Sequence, residues 1–149
     1  MKYNDENFLL LSSQICFPTY AVFNKIVRRY QPLLKELDLT YTQYIIMMVM
    51  WEKEVVNEKE IGEALYLKTN TLTDTLKLME NKELIKRERS EKDRRNLVIS
   101  ITDEGKELRN KALNVPKTLY NEHWLTDDEF DEYRRLLYKL LEGDWKWKY

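Results

Sequence analysis

One cysteine, one histidine, three glycines and three prolines are all that 149 residues hold of the types that announce a metal cluster, a disulfide or a flexible linker. Cys16 alone can close no bridge within the chain and build no Cys-based zinc site, and His123 finds no second imidazole. No metal and no cofactor is therefore expected. No Gly/Ser-rich or Pro-rich tract interrupts a sequence that is 34% charged, which argues against disorder and for one helical domain. Long apolar runs are also missing. The longest, Tyr44 to Trp51, falls far short of the roughly 20 residues a membrane span needs. The opening MKYNDENF lacks the basic and apolar stretches of a secretory leader. The expectation is a cytoplasmic protein with no membrane partner.

The net charge of −1 conceals an uneven distribution. From Lys82 to Arg95, seven Lys/Arg face four acids, whereas the segment from Thr102 onwards is slightly acidic. A local basic stretch is what a phosphate contact requires, because only charge close to a duplex displaces its counterions.

The periodicity gives the order helix, helix, short helix, helix, hairpin, helix, helix. The first apolar stretch runs from about Phe8 to Tyr30, with Pro18 marking a kink or a later start near Cys16, and Pro32 reading as a restart. Thr40 or Thr42 opens a helix through Trp51 that is apolar nearly all round and should form the buried centre. Its Met47, Met48 and Met50, with Met79 further on, read as core. Asn57 caps a short helix carrying Ile61, Ala64 and Leu65, and Tyr66 to Lys68 breaks the pattern. With Thr69 as N-cap, Leu72, Leu76 and Met79 then line one face of a second helix, while Asn70, Thr73, Asp74, Lys77 and Asn81 share the other. Lys86 to Ser90 and Leu97 to Ile101 alternate as strands around a basic turn. Thr102-Asp103 caps a helix interrupted by Pro116, and Thr126 with Glu129 forms a capping box for the last helix, which stops near Gly143.

Two short helices followed at once by a basic hairpin describe a winged helix-turn-helix, so the fold class is mostly α with a small β-hairpin wing. The chemistry agrees. A recognition helix keeps one face apolar and offers donors and acceptors to base edges on the other, and Thr69, Asn70, Thr71, Thr73 and Lys77 supply them. Lys92, Asp93, Arg94 and Arg95 at the hairpin tip can grip the flanking backbone or minor groove. Alone, each feature is an ordinary surface helix or a solvated turn; their order and adjacency point to double-stranded DNA. The outer segments hold apolar residues (Phe8, Leu9, Leu10, Leu11, Leu136, Leu137, Leu140, Leu141) that a small winged domain cannot bury itself, as a homodimer would explain.

The stretch IGEALYLKTNTLTDTLKLMENKELIKRERSEKDRRNLVISITDEG resembles the DNA-binding core of MarR-type regulators, Asp93 and Arg95 matching the Asp-x-Arg of the wing and ITDEG the exit from it. The resemblance implies an intertwined helical dimer, with dimerisation segments at about 8–40 and 102–143, a winged region at about 42–101, and a pseudo-palindromic operator. Asp74 and Lys68 depart from the family pattern, so no operator preference is carried over. Farther upstream, QICFPTY, RRYQPLLKELDLTYTQY and WE resemble the organic-hydroperoxide-sensing branch, the OhrR-type repressors. In that branch a reactive cysteine is held by tyrosines, which map onto Cys16 with Tyr20, Tyr30 and Tyr41. Tyr20 lies four residues from Cys16, on the same helical face. The implied function is a repressor released from DNA when an organic hydroperoxide oxidises Cys16, with no second cysteine to resolve the product. Two alternatives stand beside it: a regulator answering to a small phenolic or acidic ligand with Cys16 incidental, and a thiol peroxidase, for which neither a resolving cysteine nor an arginine beside Cys16 is present.

Overall fold

Capping residues decide where most of the helices begin. In the computed structural model, which describes residues 7, 9–89, 96–120 and 124–143, Thr40, Asn57 and Thr126 each form a reciprocal box with the side chain three residues on. Each box satisfies two backbone donors that the first turn leaves open. These caps start α2 (Tyr41–Lys53), α3 (Glu58–Leu65) and α7 (Asp127–Glu142). Thr102 accepts from the Gly105 amide and starts α5 (Asp103–Ala112). For α4 (Thr69–Asn81) the expectation was off by one. Lys68 holds the N-cap position, its side chain makes no capping bond, and Thr69 is the first helical residue.

The N-terminal segment differs more. A 3₁₀ turn at Leu11–Ser13 precedes α1 (Cys16–Lys35), so of the readings the sequence leaves open for Pro18 the later start near Cys16 is the one observed; Phe8 lies outside the described residues. Pro18 falls in the first turn, where an amide has no partner to lose; the Thr19 amide makes the bond to the Ile15 carbonyl. Pro32 does not restart the helix. α1 runs through it to Lys35, one amide short, with Leu34 buried near its end.

The wing strands are β2 (Ile85–Arg89) and β3 (Leu97–Ile101), antiparallel, with Ile85 opposite Ile101 and Arg89 opposite Leu97. A third strand, β1 (Val55–Asn57), which the sequence pattern misses, pairs with β3 from the other side, giving the order β1-β3-β2. Three residues carry no usable periodicity; pairing with β3 is what makes them a strand. The core collects Ile46, Met47 and Met50 of α2, Ile61 of α3, Leu76 and Met79 of α4, and Ile99 of β3, all fully buried. Met48, expected in the core, is half exposed because it points from the opposite side of α2.

α5 ends at Ala112, and α6 (Asn114–Tyr120) follows with Pro116 as its third residue, a position that needs no amide. The chain divides into two units, residues 1–116 and 117–149. The second contains α7, whose Phe130, Leu136, Leu140 and Leu141 are all exposed. Among the described residues no helix is long and apolar enough to cross a membrane.

Candidate functional site

The helix-turn-helix is built by α3 and α4. Tyr66, in the left-handed region with φ 53°, ends α3, and the Leu67 amide reaches back to the Gly62 carbonyl at 3.0 Å. Only Tyr66 to Lys68 separate the two helices, and Leu72, Leu76 and Met79 turn one face of α4 into the core. That fixes the opposite face towards solvent. Thr69, Asn70, Thr71, Asp74, Lys77 and Asn81 are exposed there, and Thr73 lies half-buried on its flank. Asp74, a cost against phosphate by its charge alone, has the Lys77 ammonium 3.4 Å away. The expected wing-tip contacts Lys92, Asp93, Arg94 and Arg95 lie outside the described residues.

Three contacts set the position of α4 that the sequence gives no sign of. At its middle, the Thr73 hydroxyl donates to Glu58 Oε1 at 2.6 Å, linking α4 to the first residue of α3. Near its end, the Glu80 carboxylate accepts from the Arg87 amide at 3.0 Å and from Arg87 Nε at 2.8 Å, fastening the helix to the base of the wing. Just past its end, Lys82 Nζ reaches Asp38 Oδ2 at 3.0 Å, the Asp38 carbonyl, and the buried Gln43 Oε1 at 3.4 Å. Since Gln43 also caps α2, one amide side chain joins the α1–α2 corner to the end of α4. These partners lie 15, 7 and 44 residues apart, beyond any local spacing rule.

The aromatic cluster sits at that same corner. Tyr30 of α1 packs against Tyr41 (centroids 5.3 Å) and Tyr44 (5.8 Å), Phe23 against Tyr41 (6.0 Å), and Tyr44 against Trp51 (6.2 Å). Trp51 in turn donates to the Gly105 carbonyl at 2.8 Å, tying α2 to α5. Burial, and then the neighbouring phenols Tyr44 and Tyr41, push the Tyr30 hydroxyl up to about 12. Burial raises Tyr41 as well, and it raises Tyr44 together with the nearby Tyr41. All three phenols therefore keep their protons, and remain hydrogen-bond donors, at physiological pH.

Cys16 is the first residue of α1 and is exposed, with Tyr20 exposed one turn on. The structure does not bring the four redox residues together. Tyr30 is fourteen residues along the same helix from Cys16, about 21 Å at the helical rise, and Tyr41 stays with Tyr30. The apolar residues on either side of Cys16 in the chain are uncovered: Ile15 is 67% exposed and Phe17 45%.

A winged helix-turn-helix flanked by unpartnered helical faces defines a DNA-binding regulator of the dimeric winged-helix class. The profile of the transcriptional regulators SarA/Rot matches residues 28–112. The chain is 39% identical over 139 residues to the organic hydroperoxide resistance transcriptional regulator of Bacillus subtilis, covering 93% of this chain and 95% of the relative. With the transcriptional regulator SarZ of Staphylococcus epidermidis it shares 40% identity over 80% of each chain. Among solved structures, AbfR of Staphylococcus epidermidis superposes with a TM-score of 0.74 at 31% identity, covering 87% of this chain and 88% of that one. AbfR has also been seen overoxidised and bound to DNA, at the same TM-score. The chain belongs to the MarR family of winged-helix transcriptional regulators, in the branch that holds the organic hydroperoxide resistance regulators.

Proposed function

We propose that this chain is a cytoplasmic repressor that binds a pseudo-palindromic operator as a homodimer and leaves it when an organic hydroperoxide oxidises Cys16. In the chemistry, the Cys16 thiolate attacks the outer oxygen of the peroxide. The O–O bond breaks, an S–O bond forms, and the departing alkoxide takes up a proton to leave as an alcohol, with sulfenic acid on Cys16. The observation that carries this reading is the single exposed cysteine at the head of α1, the helix that at its other end holds a cluster of protonated phenols. The length of α1 keeps Tyr30 and Tyr41 from Cys16 of the same subunit, so these donors reach a sulfur only as those of the partner across the dimer. The exposed apolar faces of the N-terminal segment and of α7 give that dimer its contact surface, with 8–40 and 102–143 as dimerisation segments around a winged region at 42–101.

Oxidation converts the sulfur that accepts from the phenols into a hydroxylated one, and the hydrogen bonds they make to it change. The tyrosine corner is linked through Gln43 and Lys82 to the end of α4, so a shift there alters the spacing of two recognition helices. Binding depends on many simultaneous phosphate contacts, among them those of Lys92, Arg94 and Arg95, and a small change of geometry releases the operator. Thr69, Asn70, Thr71, Thr73 and Lys77 face the bases, and Asp93 is assigned to the DNA contact by its match, with Arg95, to the family's Asp-x-Arg. With no second cysteine in the chain, the sulfenate is then capped by a small external thiol or, under excess oxidant, goes on to sulfinic and sulfonic acid.

The test is a band-shift on the DNA upstream of the coding region, with and without cumene hydroperoxide at fixed salt. Wild type should bind when reduced and be released by peroxide; Cys16→Ser should bind and stay bound. Release of the serine variant by peroxide would overturn the cysteine mechanism, and wild type that ignores DNA would overturn the regulator reading. A cavity of about 550 Å³ bordered by Glu58, Tyr66, Thr69 and Leu72 favours a second reading, a small ligand as inducer. A phenolic or acidic compound that releases both proteins equally would favour it.

A further inference from the structure

We infer that Glu58 is a specificity-determining residue: by accepting the Thr73 hydroxyl's hydrogen bond it leaves Thr73 a pure acceptor towards the DNA and selects an adenine or cytosine amino group in the major groove. This rests on the reading of α4 as the recognition helix. A threonine hydroxyl has one proton and two lone pairs, and when it is free to rotate it can serve a donor or an acceptor on a base edge. In this protein it is not free. The hydroxyl donates to Glu58 Oε1 at 2.6 Å, the short separation of a charge-assisted O–H···O⁻ bond, in a partly buried setting.

Glu58 is itself held. It is the first residue of α3, directly after the Asn57 cap, where the free amides of the helix favour a carboxylate. A carboxylate only accepts, so the bond cannot reverse its direction. Thr73 is then left with lone pairs to offer towards the groove. The major-groove edges that can meet a lone pair are the adenine N6 and cytosine N4 amino groups; guanine N7 and O6 and thymine O4 are acceptors and are rejected. The same commitment keeps Thr73 from donating to a backbone phosphate, so its contribution falls on the base and carries sequence information. Nothing about position 58 seen in the sequence alone marks it for this role, since it belongs to the other helix of the motif.

The experiment is selection of binding sites from a pool of random duplexes by the full-length protein, for wild type and for Glu58→Val, Glu58→Gln, Thr73→Val and Thr73→Ser, each confirmed folded by circular dichroism. Wild type and Thr73→Ser should enrich A or C at one position of each half-site, by about five- to tenfold over G or T, as one hydrogen bond allows. Glu58→Val should admit G or T at that position while leaving the other positions unchanged, because the hydroxyl can now turn its proton outward. Glu58→Gln should relax the preference partway, and Thr73→Val should abolish it at the same position. If Glu58→Val and Glu58→Gln select the wild-type base with the wild-type ratio, the inference fails while the regulator reading stands. If wild type enriches no sequence at all, both fail together.

Discussion

Replacing Gly105 by alanine sets two effects of known size against each other. Gly105 is the third residue of α5, inside a helix, where alanine is favoured over glycine by about 1 kcal/mol. It is also buried, and a Cβ at this position would come within 2.3 Å of the Leu84 carbonyl oxygen and 2.8 Å of Ile101 Cγ1. The first of these is backbone, and it is pinned, because the Leu84 carbonyl already accepts the Thr102 amide at 3.2 Å. Relief therefore means moving α5 by something on the order of 1 Å away from the strand, which also stretches the bond from Trp51 Nε1 to the Gly105 carbonyl. Overpacking of this kind typically costs 1–3 kcal/mol and the strained hydrogen bond about 1 kcal/mol more, so packing outweighs propensity. Gly105→Ala should destabilise by about 1–3 kcal/mol. Gly62 supplies the control, because it too is helical, yet its added Cβ would meet only Leu72 Cδ2 at 3.4 Å and the Leu67 carbonyl at 3.5 Å. Gly62→Ala should be neutral or stabilising by up to about 1 kcal/mol. Urea unfolding at one fixed protein concentration, with midpoints compared at constant slope, reads both. Equal shifts of the same sign, or a stabilised Gly105→Ala, would refute the packing argument.

Two further outcomes follow from contacts already described. The Tyr30 hydroxyl is raised on folding from its ordinary 10.0 to about 12, so its contribution to stability is fully present below pH 10 and is lost as the pH climbs through 12; Tyr30→Phe should flatten that alkaline fall, read by unfolding midpoints alongside ultraviolet titration of the phenols. Glu80 and Arg87 should couple by about 1–2 kcal/mol in a double-mutant cycle of Glu80→Ala and Arg87→Ala, with operator affinity weakened in each single variant because the wing is released from α4; a coupling near zero would show the clamp to be inert.

Local chemistry settled most of the elements before any tertiary contact was known. Thr40, Asn57, Thr102 and Thr126 start their helices because their side chains satisfy amides within the same turn. Leu72, Leu76 and Met79 bury one face of α4 because their spacing of four and three puts them together. The winged motif, the apolar centre of α2 and the lone cysteine were legible for that reason. Other features were decided by the fold. β1 exists through its pairing with β3, and α1 passes Pro32 although the proline looks like a boundary. Cys16, Tyr30 and Tyr41 are separated because a continuous helix is a rigid spacer, and no list of residue types contains its length. The links from Thr73 to Glu58, Glu80 to Arg87 and Lys82 to Gln43 likewise join residues that only folding brings within hydrogen-bond reach. Sequence periodicity reports what a residue does to its own turn or strand; it is silent on which distant side chain will accept its hydrogen bond, and that is where the positioning of α4 was determined.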